Sequence, residues 1–185
     1  MRVIAGQYKS RPLRTIPGMK TRPTSDRLRE TLFNVLTAGE PQRLTGSVWL
    51  DLFAGTGAVG IEALSRGASH VTFVDNGKTA TKVIRENLKS LGIRDGFEII
   101  ELEVTKALWQ MQSSVDYVFV DPPYADERAY AEVLALLGET AMVRANTIVI
   151  VEHDKRFDPG EEFGTLRRYR KLMQGDSGLS FYQRS

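Results

Sequence analysis

The sequence predicts an α/β fold: an open, largely parallel sheet covered by helices on both faces, with an antiparallel hairpin at its C-terminal edge and a small β-hairpin extension at the N-terminus. Three observations carry that expectation. Between residues 48 and 151, short apolar runs alternate with stretches of helical periodicity, which implies parallel pairing through right-handed crossovers. Residues 163–182 have no helical stripe and fold back around Gly175-Asp176-Ser177-Gly178. Residues 2–5 and 13–16 flank a polar turn.

Taken in order, Arg22-Pro23-Thr24 is extended by its proline, and Ser25 or Asp26 caps a helix that runs to about Leu36. Residues 48–53 form a strand that ends at Ala54-Gly55-Thr56-Gly57. Val59, Ala63 and Leu64 then make a helical stripe terminated at Gly67. A strand at 71–74 precedes a helix at 79–91, whose buried face is Ala80, Val83, Ile84 and Leu88. Asp95-Gly96 turns into a strand at 97–102, followed by a short helix at 106–111. A strand at 115–120, a helix at 127–137 and a strand at 147–151 complete the alternation.

A chain of 185 residues holds one domain, with room for a small appendage. The absence of cysteine excludes a disulfide framework, zinc-thiolate sites and thiol catalysis, and two separated histidines argue against a metal centre. No apolar run approaches a membrane span and no signal-peptide core opens the chain, so a cytoplasmic location without membrane attachment is expected. The net charge of +2 conceals an asymmetry. Residues 1–45 carry nine Lys/Arg against Asp26, Glu30 and Glu40, a net +6, whereas the remainder carries −4. A basic arm on an acidic body suggests a polyanionic partner, and on charge alone a solvated positive surface with no partner is the equal alternative.

Open α/β sheets bind ligands beyond the carboxyl ends of their strands. Two strand ends are unusual here. Asp51-Leu52-Phe53-Ala54-Gly55-Thr56-Gly57-Ala58-Val59-Gly60 places Gly-x-Gly-x-x-Gly between a strand and a helix, the Rossmann-like arrangement for nucleoside cofactors. Asp75 ends the next strand, where a carboxylate accepts both hydroxyls of a ribose; the structural alternative is a cap on the following helix. Asp51 would repel a pyrophosphate but suits the ammonium and sulfonium charges of S-adenosylmethionine, which points to methyl transfer. Gly77-Lys78-Thr79 is not the tail of a triphosphate loop, because the first glycine of that motif would fall at Thr72, inside a strand.

Asp121-Pro122-Pro123-Tyr124 follows the strand at 115–120. The prolines remove two backbone donors and leave the Pro122 carbonyl outside any helix, so Asp121 and that carbonyl present two acceptors to a planar amine. Tyr124 offers an aromatic face to an unstacked base. The bland alternative is a strand-ending turn with a half-buried tyrosine. Trp49 reads as core and His70 as a surface residue; His153 reads as a surface residue, with a place beside the site as the alternative, and Arg167-Arg168-Tyr169-Arg170-Lys171 as ordinary basic surface, with a further RNA edge as the alternative.

The glycine loop and Asp121–Tyr124 resemble the S-adenosylmethionine-dependent amino-methyltransferases. Met1-Arg2-Val3-Ile4-Ala5-Gly6, Thr21-Arg22-Pro23-Thr24, Asp26-Arg27, Arg29-Glu30, Leu32-Phe33-Asn34 and Glu62-Ala63-Leu64-Ser65-Arg66-Gly67-Ala68 narrow the resemblance to bacterial 16S ribosomal RNA guanine-N2 methyltransferases. It extends to Val151-Glu152-His153 and the segment 175–182. The resemblance implies a seven-stranded methyltransferase sheet over residues 25–185 and an RNA-binding hairpin arm over residues 1–24. It assigns Asp51, Phe53, Ala54, Gly55, Thr56, Gly57, Gly60 and Asp75 to S-adenosylmethionine, and Asp121, Pro122 and Tyr124 to the amine. Where the family has a Gly-Asp pair for the adenine amine, this chain has Glu101-Leu102-Glu103, with Glu103 as the candidate; Gln174 stands where the family has tyrosine. Arg22, Thr24, Arg27 and Arg29 are the expected RNA contacts, helped by Lys9, Arg11, Arg14 and Lys20. The implied partner is 16S rRNA or a small-subunit assembly particle, met by a monomer without a metal. The alternatives are amino-methylation of adenine or cytosine in DNA or another RNA, a nicotinamide oxidoreductase, and a nonenzymatic RNA-binding protein.

Overall fold

The computed structural model describes residues 1–16 and 25–185. Arg22 and Thr24 lie outside the described residues. Strands β1 (Val48–Leu52), β2 (His70–Val74), β3 (Phe97–Ile100), β4 (Val115–Val120), β5 (Val143–Asp154), β6 (Glu162–Phe163), β7 (Leu166–Gln174) and β8 (Ser177–Arg184) form one sheet in the order β3-β2-β1-β4-β5-β8-β7-β6. The first five are parallel, and β8, β7 and β6 join antiparallel. The helices are α1 (Asp26–Leu36), α2 (Ala58–Ser65), α3 (Lys78–Leu91), α4 (Val104–Gln110) and α5 (Glu127–Glu139). Among the described residues none is long and apolar enough to cross a membrane.

Two expectations need correction. The sheet has eight strands, because the two residues of β6 add an edge beyond the expected seven. The N-terminal hairpin is reduced to a single bridge between Arg2 and Pro12. The reason lies in the backbone donors of the arm. Ile4 and Ala5 N–H donate to the Glu62 carboxylate at 2.7 and 3.0 Å, and Gln7 and Tyr8 N–H donate to the carbonyl and hydroxyl of Ser65. Groups satisfied by α2 are not available to a second strand.

Strand alternation buries two separate layers. Against one face pack α1, α2 and α3, with Leu32, Phe33, Ile61, Ile84 and Leu88 meeting Trp49, Val71, Phe73, Phe119 and Ile150. Trp49 is core as expected: it stacks between Phe33 and Tyr117 at centroid distances of 5.5 and 4.5 Å, and its indole N–H donates to Ser47. The other face is covered by α4 and α5 over Leu50, Leu52, Val118, Val120 and Val149. Helix α1 starts where expected, with the Ser25 hydroxyl accepting from Leu28 N–H.

From β1 the chain builds outward to β2 and β3, then returns to place β4 on the other side of β1. The strand order therefore reverses between β1 and β4, and the crevice at that point opens at their carboxyl ends.

Glu62 joins the arm to this body. It is fully buried, and besides the two arm amides it accepts from Arg66 Nε at 2.7 Å. Replacing it leaves those donors without a partner. Glu62→Ala should cost about 3 kcal/mol in urea unfolding and expose the arm to limited proteolysis, with Glu62→Gln intermediate. A stable variant with a protected arm would show that the carboxylate is dispensable.

Candidate active site

Register places three carboxylates around the reversal point, with Asp51 two residues deeper than Asp75 and Asp121. Asp51 lies in β1, paired with Phe73 of β2 and Phe119 of β4. Asp75 and Asp121 come one residue after the ends of β2 and β4, and Asp121 N–H continues the ladder to the Leu52 carbonyl at 3.4 Å. Neighbouring strands lie about 4.8 Å apart, so side chains from all three strand ends share one crevice.

The glycine loop is shaped by positive φ. Phe53, Gly55 and Gly57 take φ of +57°, +55° and +75°. For Phe53 that conformation costs roughly 1–2 kcal/mol, and its site between strand and loop is one where such strain is met. The two glycines differ in their surroundings. A Cβ on Gly57 would press on Ile84 and Phe73 at 3.2–3.3 Å, whereas one on Gly55 would meet only the Phe53 carbonyl at 3.9 Å. Gly57 and Gly60 are thus packing glycines, and Gly55 marks the open side of the loop.

Asp51 and Asp75 both hold loop backbone. Helix α2 has no side-chain cap at Gly57, and the Asp51 carboxylate accepts from Gly60 N–H, at the third helical position, at 2.9 Å. Burial pushes the Asp51 carboxyl up to about 8; the charge of Asp75 adds to the rise and the Gly60 N–H opposes it. Asp75 accepts from Gly55 N–H at 2.9 Å and from Gly77 N–H at 2.8 Å. The second bond reaches the N-cap residue Gly77 itself; α3 has no side-chain cap, so Asp75 does not act as the cap that was the structural alternative. A carboxylate has about four acceptor positions, so capacity remains for ligand hydroxyls.

Thr56 and Ala54 are buried in the loop, and Asn87 of α3, fully buried, donates to the Thr56 carbonyl at 3.0 Å. Asn87 also accepts from Arg14 N–H at 2.8 Å, tying the arm to the loop. Glu103 is exposed before α4 and pairs with Lys106 at 2.6 Å, while Glu101 turns to the Thr81 hydroxyl at 2.6 Å.

At the β4 end, Tyr124 is half-buried, and its hydroxyl donates to Glu152 Oε1 at 3.0 Å and lies 3.0 Å from the Ser177 hydroxyl. Burial, reinforced by Glu152, raises its pKa, so the phenol stays protonated. The Pro122 carbonyl is outside any helix, and the Tyr130 hydroxyl reaches one of its lone pairs at 3.4 Å. Sequence reasoning missed Tyr130, Glu152, Ser177 and Asn87. A glutamate in an otherwise apolar strand was the available signal for Glu152; Tyr130 lies on the buried face of α5, where nothing local sets it apart from core.

Two site expectations change. Arg29, expected on RNA, is fully buried: its Nη2 donates to the Arg2 carbonyl at 2.5 Å and to Asp26 at 2.9 Å, so it braces the arm against α1. His153, expected on the surface, is buried, with Nδ1 at 2.9 Å from the Asp154 carbonyl and Nε2 at 3.0 Å from the Ser180 hydroxyl. Burial lowers its pKa. Arg27 is exposed on α1, as an RNA contact requires.

A raised folded-state pKa makes Asp51 a pH-dependent liability. The unfolded chain releases this proton near pH 4 and the folded chain holds it to about 8, so its contribution to stability is full below pH 4 and is lost as pH rises through 8. Asp51→Asn keeps an acceptor for Gly60. Its urea-unfolding stability should gain on wild type by up to about 1.4 kcal/mol per pH unit across that window. Parallel pH profiles for the two proteins would mean that Asp51 is ionised throughout.

The defining pattern of the family described as "Conserved hypothetical protein 95" matches residues 1–183. The chain is 35% identical over 187 residues to "Putative rRNA methyltransferase YlbH" of Bacillus subtilis, covering 100% of this chain and 99% of the relative. It is 37% identical over 158 residues to ribosomal RNA small subunit methyltransferase D of Haemophilus influenzae, covering 84% and 79%. The solved structure of "Putative methyltransferase yhhF" from Escherichia coli superposes with a TM-score of 0.83 at 30% identity, covering 100% of this chain and 98% of that one. The fold and these similarities agree: the chain belongs to the Conserved hypothetical protein 95 family, among the rRNA methyltransferases.

Proposed function

We propose that the protein transfers a methyl group from S-adenosylmethionine to the exocyclic N2 amine of a guanine in 16S rRNA during small-subunit assembly. The observation that carries this reading is the set of carboxylates Asp51, Asp75 and Asp121 around the reversal point, beside a glycine loop with one open side. The residues fit the cofactor. A desolvated carboxylate at Asp51 is relieved by a cationic ligand, Asp75 retains acceptor positions for ribose hydroxyls, and Gly55 admits close approach. Phe53, Ala54, Thr56, Gly57 and Gly60 shape the loop, and Glu103 is the candidate for the adenine amine. S-adenosylmethionine supplies an electrophilic methyl group.

The chain supplies placement. Asp121 and the free lone pair of the Pro122 carbonyl accept the two hydrogens of the target amine, favouring a pyramidal nitrogen. The Tyr124 ring stacks on the base, held in orientation by Glu152 and Ser177 at its hydroxyl. Holding the amine is the main source of acceleration, and the carboxylate of Asp121 stabilises the cationic amine that develops. No strong base is needed beforehand, because the methylated amine is acidic and loses its proton readily. Residues 1–24 act as an RNA-binding arm, with Arg22 and Thr24 of the arm and Arg27 of α1 on phosphates.

Three measurements test this. Asp75→Ala should weaken S-adenosylmethionine binding tenfold or more by calorimetry, the loss of a charged hydrogen bond worth about 1.5–3 kcal/mol; unchanged affinity removes Asp75 from the site. In single-turnover methylation of small-subunit rRNA at saturating cofactor, Asp121→Ala should be nearly inactive and Asp121→Asn reduced but measurable, both with normal cofactor affinity. Wild-type rates in Asp121→Ala would refute its catalytic role. An Asn variant as inactive as Ala would make carboxylate charge or proton acceptance dominant. Mass mapping of labelled methyl groups should locate the product on a guanine N2, and methyl on adenine or cytosine would overturn the substrate assignment.

A further inference from the structure

Helix α3 carries a charged row that neither the cofactor loop nor the amine site uses. Lys78, Lys82, Arg85 and Lys89 recur at intervals of four, three and four, which aligns them along one side of the helix. The row is about 16 Å long. All four are exposed, while Ala80, Val83, Ile84, Leu88 and Leu91 are buried on the other side. The row begins beside Gly77, which Asp75 holds at the cofactor end of the sheet. Past the helix terminus it continues to exposed Arg94, which with Arg85, Lys89 and Phe97 borders a shallow depression.

The arm runs along the same helix. Arg11 donates to the Ser90 carbonyl at 2.9 Å, and Arg14 pairs with Glu86 at 2.9 Å. That pair engages the single acidic side chain of α3. Glu101, 3.9 Å from Arg85, already accepts the Thr81 hydroxyl, and Asp95 and Glu98 lie exposed beyond the helix. Arm and helix together thus present one positive face, on a chain whose residues after 45 are net negative.

We infer that the outer side of α3 is a second phosphate track for the RNA substrate, continuing the contact of the N-terminal arm down the flank of the sheet. The inference rests on the RNA reading above. Phosphate contacts of this kind position a nucleic acid without reading its sequence, the role required when one base must reach Asp121. Exposed cations in a row serve it without altering the cofactor loop.

The test uses full-length protein and a protein-free transcript of small-subunit rRNA, with binding measured over a range of salt concentrations. Lys82→Gln/Lys89→Gln should weaken binding tenfold or more at low salt and lower the salt slope by about 0.7–0.9 per lost phosphate contact, with cofactor affinity unchanged. Lys82→Arg/Lys89→Arg should keep the wild-type slope. Arg144→Gln/Arg170→Gln, exposed on β5 and β7 away from the row, removes the same two charges and controls for net charge. A Lys82→Gln/Lys89→Gln variant with the wild-type slope, or one no different from Arg144→Gln/Arg170→Gln, overturns the track while leaving the enzyme's function standing. Wild-type protein that neither binds nor methylates the transcript or small-subunit particles overturns the RNA reading, and the track with it.

Discussion

A carboxylate enclosed completely at the end of a strand demands a partner, and Asp51 finds it in the Gly60 N–H at 2.9 Å. That bond joins β1 to the first turn of α2, so the direction in which the chain leaves the sheet is set by it. Gly60 must approach closely enough to donate, and a side chain there would collide with Phe73 and Val71 of β2. One hydrogen bond therefore locks together the central strand, its helix and the neighbouring strand. It also leaves a desolvated acidic group beneath the open side of the loop. The fold and the cofactor chemistry proposed for it draw on the same constraint.

The N-terminal arm extends this logic to a segment that forms almost no secondary structure. Its attachment is polar and directional: Glu62 and Ser65 hold the backbone of residues 4–8, Asn87 holds Arg14, and Arg29 reaches the Arg2 carbonyl. Apolar anchors are few, chiefly Val3 and Leu13. An arm docked this way keeps a basic outer side in water while its inner side reaches the loop through Asn87 and the Thr56 carbonyl. Arg29 shows how charge counting misleads in such a segment, since one of the nine cations is structural.

At the other strand end, rigidity comes from far along the chain. The Tyr124 hydroxyl is held by Glu152 on β5 and Ser177 on β8, and the Pro122 carbonyl is touched by Tyr130 on α5. The antiparallel edge therefore does more than finish the sheet. Inserting β8 next to β5 brings Ser177 under the tyrosine. Close packing there is tight, for a Cβ on Gly178 would strike the His153 ring.

Local signals made much of this legible in the sequence. Among the described residues, a proline and a cap located α1, and apolar periodicity located the other four helices and the five parallel strands, usually within a residue or two, because burying one helix stripe or a whole strand leaves a pattern that needs no knowledge of neighbours. The glycine loop, Asp51, Asp75 and Asp121–Tyr124 were visible because turns and strand ends impose local residue requirements. Tertiary structure alone decided the rest. The expected N-terminal hairpin gave way to a single bridge because Glu62 and Ser65, nearly sixty residues away, took its donors. Whether Arg29 and His153 faced solvent depended on which elements closed over them, and the partners of Tyr124 depended on strand order at the sheet edge. Periodicity reports which side of an element is buried; what covers that side is a long-range fact, settled only when the whole chain packs.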